Sequence, residues 1–120
     1  MHARPRTGTD LVNEAKQRIT EIPLDEARAA HRAGDVVFVD VREPNESNLG
    51  RIPGAMILPR GTLEVRCEGV LPRDRPLVVY CAGGSRSALA ADTLQTMGYQ
   101  VRSLRGGYRG WVEDGGPVER

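Results

Sequence analysis

Two stretches of the chain are apolar at nearly every position. They are Val36-Val37-Phe38-Val39-Asp40-Val41 and Leu77-Val78-Val79-Tyr80. Such a run leaves no polar face and predicts a strand buried on both sides, as in a parallel sheet. Shorter strands are predicted over Ile19–Ile22, Ala55–Leu58 and Gln100–Leu104. Leu24–Ala33 predicts a helix, with Leu24, Ala27 and His31 on one side and Gly34 at its end. Ser87–Met97 predicts another, with Leu89, Ala90, Leu94 and Met97 inward and Gly98 closing it. Asp10–Arg18 reads as a helix with Asp10 as its N-cap. Glu43–Asn48 reads as a helical turn, Arg60–Val65 as a short helix and Tyr108–Glu113 as a last one. Cys67–Pro76 contains Gly69, Pro72 and Pro76 and reads as a loop. Strands thus alternate with helices. The class is α/β, a three-layer sandwich with a mainly parallel central sheet and helices on both faces.

A chain of 120 residues fits one domain and is long enough to build a core without a disulfide or metal staple. The 17 basic and 16 acidic side chains nearly balance. That excludes a strongly basic nucleic-acid binder. Lys16 is the only lysine. No stretch approaches the roughly 20 apolar residues of a membrane span. Arg4 and Arg6 are not followed by an apolar segment, so the N-terminus does not read as a signal peptide. Residues 1–9 are polar and predict a flexible tail, with a single domain over 10–120. A free thiol among two cysteines, with no leader, predicts a cytoplasmic protein.

The chemistry concentrates after the second apolar run, in Cys81-Ala82-Gly83-Gly84-Ser85-Arg86-Ser87. A cysteine ends a strand, two glycines allow a tight bend, and a helix follows. That order directs successive N–H groups of residues 82–86, and the positive end of the helix, at one spot. A cysteine placed there is a nucleophile with a lowered pKa. Arg86 has two readings, holding a substrate oxyanion or bracing the loop. Ser87 reads most simply as a helix cap, with a direct catalytic role as the alternative.

The loop resembles the active-site loop of the rhodanese (sulfurtransferase) family. Asp40-Val41-Arg42-Glu43, Glu46 and Gly50-Arg51-Ile52-Pro53-Gly54-Ala55 resemble its upstream signature, and Gly106-Gly107 with Trp111 its C-terminal one. The three blocks stand in the family's order and span about residues 19–114. The resemblance implies a sheet of about five strands. It also implies transfer of a sulfane sulfur through a Cys81 persulfide. The expected donors are a small sulfur-containing anion, thiosulfate or a persulfide, and the expected acceptors a thiol or cyanide. A sulfur-relay protein is a further expected partner, and no cofactor is implied.

The resemblance also assigns Asp40 to bracing the site, although a turn cap serves equally. Arg42 ends the same strand beside the expected site, and it either supports that site or forms a surface ion pair with Glu43. Arg51 stands where many family members carry histidine. Arg60 faces either the pocket or solvent, and Trp111 packs the core, walls the pocket, or does both. Cys67 is either a small loop residue or a second, resolving thiol. His2, His31, Cys67 and Cys81 lack the spacing of a metal site, so no metal is expected. Four residues separate Cys81 from Arg86, where tyrosine phosphatases have five. A phosphatase is therefore a distant alternative. A non-enzymatic sulfur-carrier or protein-interaction module is the alternative from another class.

Overall fold

The structure, a computed structural model, describes residues 4–120, so Met1–Ala3 of the expected tail lie outside it. Five strands form one parallel sheet: β1 (Glu21–Ile22), β2 (Val37–Asp40), β3 (Met56–Ile57), β4 (Leu77–Tyr80) and β5 (Val101–Leu104). Their order is β1-β5-β4-β2-β3. The two apolar runs are the neighbouring central strands, with Val37 opposite Leu77 and Asp40 opposite Tyr80. Six α-helices accompany the sheet: α1 (Gly8–Arg18), α2 (Leu24–Ala33), α3 (Pro44–Ser47), α4 (Leu63–Val70), α5 (Ser85–Thr96) and α6 (Gly107–Glu113).

Side chains alternate across a strand, so each central strand feeds two cores. Val39, Leu77, Val79 and Val101 pack with Leu63 of α4 and Leu94 of α5. Phe38, Val78, Tyr80 and Leu104 pack with Ala27 of α2 and Trp111 of α6. α1 lies against α5, and Arg18 forks onto Asp92 there at 2.6 and 3.0 Å. The three-layer expectation and the parallel sheet therefore hold.

Element bounds differ from the sequence reading in several places, three of which have a plain physical cause. α1 starts at Gly8, and its N-cap is Thr7 rather than Asp10. Thr7 Oγ1 accepts from the Asp10 N–H and Asp10 accepts from the Thr7 N–H, both at 3.0 Å. This reciprocal capping box satisfies two donors that a lone Asp10 cap would leave open. Second, the expected loop from Cys67 is helical to Val70. Burial of Leu63 and Cys67, four residues apart, anchors that helix on the core. Third, α5 starts at Ser85. Its N-cap is Gly84, so Ser87 is not the cap but lies inside the first turn.

Candidate active site

Cys81 follows β4 at the C-terminal end of the sheet, where open parallel sheets place their ligands. The backbone then turns through Gly84, whose φ of 115° is left-handed and favours glycine. Gly83 does not share that conformation. It is exposed, and it leaves the loop bare of a side chain at that point. The turn brings N–H groups back over the sulfur. Sγ accepts from the Gly84 N–H at 3.1 Å and from the Ser87 N–H at 3.3 Å, and Ser87 Oγ lies 3.4 Å away. Burial pushes the Cys81 thiol up, but the Ser87 hydroxyl and the N–H groups of Ser87, Gly84 and Gly83 outweigh it. The net direction is down, toward thiolate. Hydrogen bonds to a charged group are worth about 1.5–3 kcal/mol each, so several together offset the desolvation of one anion.

Ser87 is thus placed at the sulfur, and behind it stands Ser103 of β5. The two hydroxyls are 2.9 Å apart and both serines are fully buried. Ser103 carried no sequence signal. It is one of two polar residues in the short strand Val101-Arg102-Ser103-Leu104, and its partner lies 16 positions away.

Arg86 turns to Glu46, with Nη1 on Oε1 at 2.7 Å and Nη2 on Oε2 at 3.1 Å. This is the bracing geometry: a two-point ion pair tying the start of α5 to α3. Arg86 holds the Glu46 carboxyl at about 2, well below its ordinary 4.5. The Arg42–Glu43 surface pair does not form. Arg42 is buried and forks onto Asp40 at 3.0 and 2.7 Å, while donating to the Gly50 carbonyl at 2.7 Å. Its guanidinium also stands 4.2 Å from the Tyr108 ring centre. Asp40 and Arg42 therefore tie the end of β2 to the Gly50 turn and to the Tyr80 and Tyr108 rings. The reason is burial: an arginine this enclosed needs a charged partner, and Asp40 is the enclosed carboxylate beside it.

The C-terminal signature braces the loop from the other side. The Tyr108 N–H donates to the Cys81 carbonyl at 2.8 Å and the Arg109 N–H to the Ala82 carbonyl at 3.1 Å. A methyl group on Gly107 would fall 2.5 Å from the Ala82 oxygen, and its φ is 61°. Only glycine lets α6 approach this closely.

The remaining expected residues lie elsewhere. Trp111 is in the core against His31 and Phe38, with Nε1 donating to the Pro117 carbonyl at 2.7 Å. Arg60 turns to Glu64 at 2.9 Å and to Thr93 at 3.5 Å. Arg51 pairs with Glu119, and their backbones form an antiparallel bridge. Cys67 is buried on α4, and both cysteines are free. No cluster of three metal-ligating side chains occurs among the described residues. No helix there is long and apolar enough to cross a membrane.

A family model for the rhodanese-like domain matches residues 23–114. The chain belongs to this family. A sulfurtransferase from Allochromatium vinosum is 41% identical over 85 residues, 70% of this chain and 78% of that protein. A thiosulfate sulfurtransferase from Tolumonas auensis is 30% identical over 78% of this chain and 89% of its own. Among solved structures, a protein of unknown function from Rhodopseudomonas palustris, described as a possible tyrosine phosphatase, superposes with a TM-score of 0.88. It is 38% identical and covers 99% of this chain and 98% of its own. The rhodanese-like match spans every block that surrounds the Cys81 loop, from Asp40 through Trp111.

Proposed function

We propose that this rhodanese-like protein is a sulfurtransferase that carries sulfur as a persulfide on Cys81. The observation that carries the reading is the ring of donors on one sulfur: the Gly84 and Ser87 N–H groups and the Ser87 hydroxyl. These donors stabilise a thiolate before reaction, and they suit a persulfide anion afterwards.

With thiosulfate as donor, the Cys81 thiolate attacks the sulfane sulfur. A new S–S bond forms at Sγ, the bond to the sulfonate sulfur breaks, and its electron pair leaves with sulfite. The outer sulfur now bears the negative charge. A thiol or cyanide acceptor attacks that sulfur, and Cys81 leaves as thiolate, ready for another cycle. Both halves are displacements at sulfur and need no cofactor. Asp40, Arg42, Glu46, Arg86, Gly107 and Tyr108 hold the loop in shape, and residues 82–87 form its wall.

One structural neighbour is described as a possible tyrosine phosphatase, and two features of this loop disfavour that chemistry here. The loop has four residues between Cys81 and Arg86, and Glu46 already occupies the Arg86 guanidinium. Both favour a single small sulfur over a tetrahedral phosphate.

The test is intact-protein mass spectrometry after incubation with thiosulfate or an alkyl persulfide. We expect a gain of one sulfur atom, about 32 Da, that cyanide removes and Cys81→Ser never acquires. No adduct from either donor overturns the reading in favour of a binding module. An adduct from the persulfide alone points to a carrier fed by a partner protein. Hydrolysis of p-nitrophenyl phosphate without any adduct restores the phosphatase.

A further inference from the structure

Arg86 and Arg42 are both already paired with carboxylates. Arg86 is forked onto Glu46 and Arg42 onto Asp40, so each pair presents no net charge to an arriving substrate. Thiosulfate carries two negative charges and must approach a third, on Cys81. A loop surrounded by neutral pairs gives it no attraction, and N–H dipoles aimed at Sγ serve the sulfur rather than the sulfonate.

Arg109 differs from both. Its backbone N–H is fixed to the Ala82 carbonyl at 3.1 Å, so the residue is anchored on the loop itself. Its side chain reaches the exposed Gly83. Nη1 lies 3.5 Å from the point a methyl group would occupy on Gly83. Gly83 is exposed, and its N–H belongs to the set that favours the thiolate. No carboxylate among the described residues stands within ion-pair distance of Arg109, whereas Arg42 and Arg86 each have one. The missing side chain at Gly83 and the unpaired guanidinium beside it leave a cationic edge on the mouth of the site.

We infer that Arg109 captures the anionic end of the sulfur donor and sets a preference for donors bearing a sulfonate or similar oxyanion. The inference rests on the sulfurtransferase reading and divides the labour between two arginines. Arg86 holds the loop, and Arg109 touches the substrate. During the displacement at Cys81 the departing sulfite is a dianion, and Arg109, beside Gly83, is the cation assigned to meet its charge. A planar guanidinium can meet two of its oxygens at once.

The experiment follows persulfide formation on Cys81 by mass spectrometry under single-turnover conditions. Two donors are compared: thiosulfate, and the persulfide of 2-mercaptoethanol, which has no sulfonate. Arg109→Gln should slow loading from thiosulfate by about tenfold or more and change loading from the alkyl persulfide by less than about threefold. Arg109→Lys should recover much of the thiosulfate rate, and raising the salt should narrow the gap between wild type and R109Q. Equal loading of R109Q and wild type from thiosulfate overturns the inference while leaving the persulfide chemistry intact. Equal slowing with both donors also overturns it, because Arg109 is then only shaping the loop. A wild-type protein that loads from neither donor overturns the sulfurtransferase reading, and this inference with it.

Discussion

Cys67 and Cys81 sit in the same apolar core and are equally closed to solvent, at 0% and 1% exposure. Their sulfurs nevertheless meet opposite chemistry. Around Cys67 Sγ stand the Glu64 carbonyl oxygen at 3.8 Å and the Met97 sulfur at 3.7 Å, both acceptors. Around Cys81 Sγ stand two N–H groups and a hydroxyl. Burial alone disfavours a thiolate, so burial cannot make a nucleophile. What separates the two cysteines is backbone: Cys67 lies on a helix whose N–H groups are already used, and Cys81 precedes a turn that aims its N–H groups inward.

The largest expected effect comes from exchanging the sulfurs for oxygen. Cys81→Ser should abolish sulfur loading, and Cys67→Ser should keep it within about twofold while destabilising the fold by about 1–3 kcal/mol, because a strongly hydrated hydroxyl replaces a thiol in a fully buried site. Mass spectrometry and urea unfolding read the two arms. Retained loading in C81S, or lost loading in a folded C67S, would reverse the assignment.

Next comes the frame under the loop. Asp40→Ala strands the Arg42 charge in the interior and should cost about 3–5 kcal/mol, measured by urea unfolding. The same cut should slow alkylation of Cys81 through loss of loop shape and leave the surroundings of Cys67 untouched. A loss below about 1 kcal/mol would mean that water reaches Arg42 and that the pair does not support the site.

Much of this frame could be read from the chain, and the limits are physical. The central strands were legible because a strand buried on both faces needs apolar residues throughout, and Phe38 and Val39 serve opposite cores. The Thr7 cap was legible in principle, since Thr7 and Asp10 have capping-box spacing. Asp10 is itself a good cap residue, which favoured the shorter helix. The helix through Cys67 was obscured by Gly69, which sits in its exposed last turn, where glycine costs little. Ser103 and Arg109 were not legible at all. Their importance arises only when β5 and α6 are placed beside the loop, and no local pattern encodes that.

A smaller effect tests whether Arg86 braces rather than binds. Glu46 has a folded pKa of about 2, below its ordinary 4.5. A depressed carboxylate stabilises the fold fully above its ordinary value and loses that contribution as pH falls toward the folded one. Wild type should therefore lose stability relative to Glu46→Gln between about pH 4.5 and 2. The pair is about one-third exposed, so screening limits the difference to about 1 kcal/mol or less, and salt should shrink it further. Parallel urea curves for the two proteins across that window would show that the pair is not formed in solution.

The smallest effect is the sharpest test of what makes Cys81 unlike Cys67. A hydroxyl has one hydrogen. When the Ser87 hydroxyl donates to the Cys81 thiolate, the Ser103 hydroxyl at 2.9 Å can only donate to Ser87. The thiolate therefore orders both hydroxyls in one direction, and each bond polarises the next. Ser87→Ala removes one donor but keeps the Ser87 N–H, so the Cys81 pKa should rise. Ser103→Ala leaves that donor in place but removes the group that polarises it, so the rise should be in the same direction and smaller. The pH profile of iodoacetamide alkylation at Cys81, separated from Cys67 by peptide mass, measures both. Ser103→Thr, which keeps a hydroxyl, should return the profile toward wild type. An unmoved profile in S103A would reduce Ser103 to packing. A shift as large as that of S87A would mean that the Ser87 hydroxyl has no orientation of its own, and that the donor set around Cys81 reaches from the loop into β5.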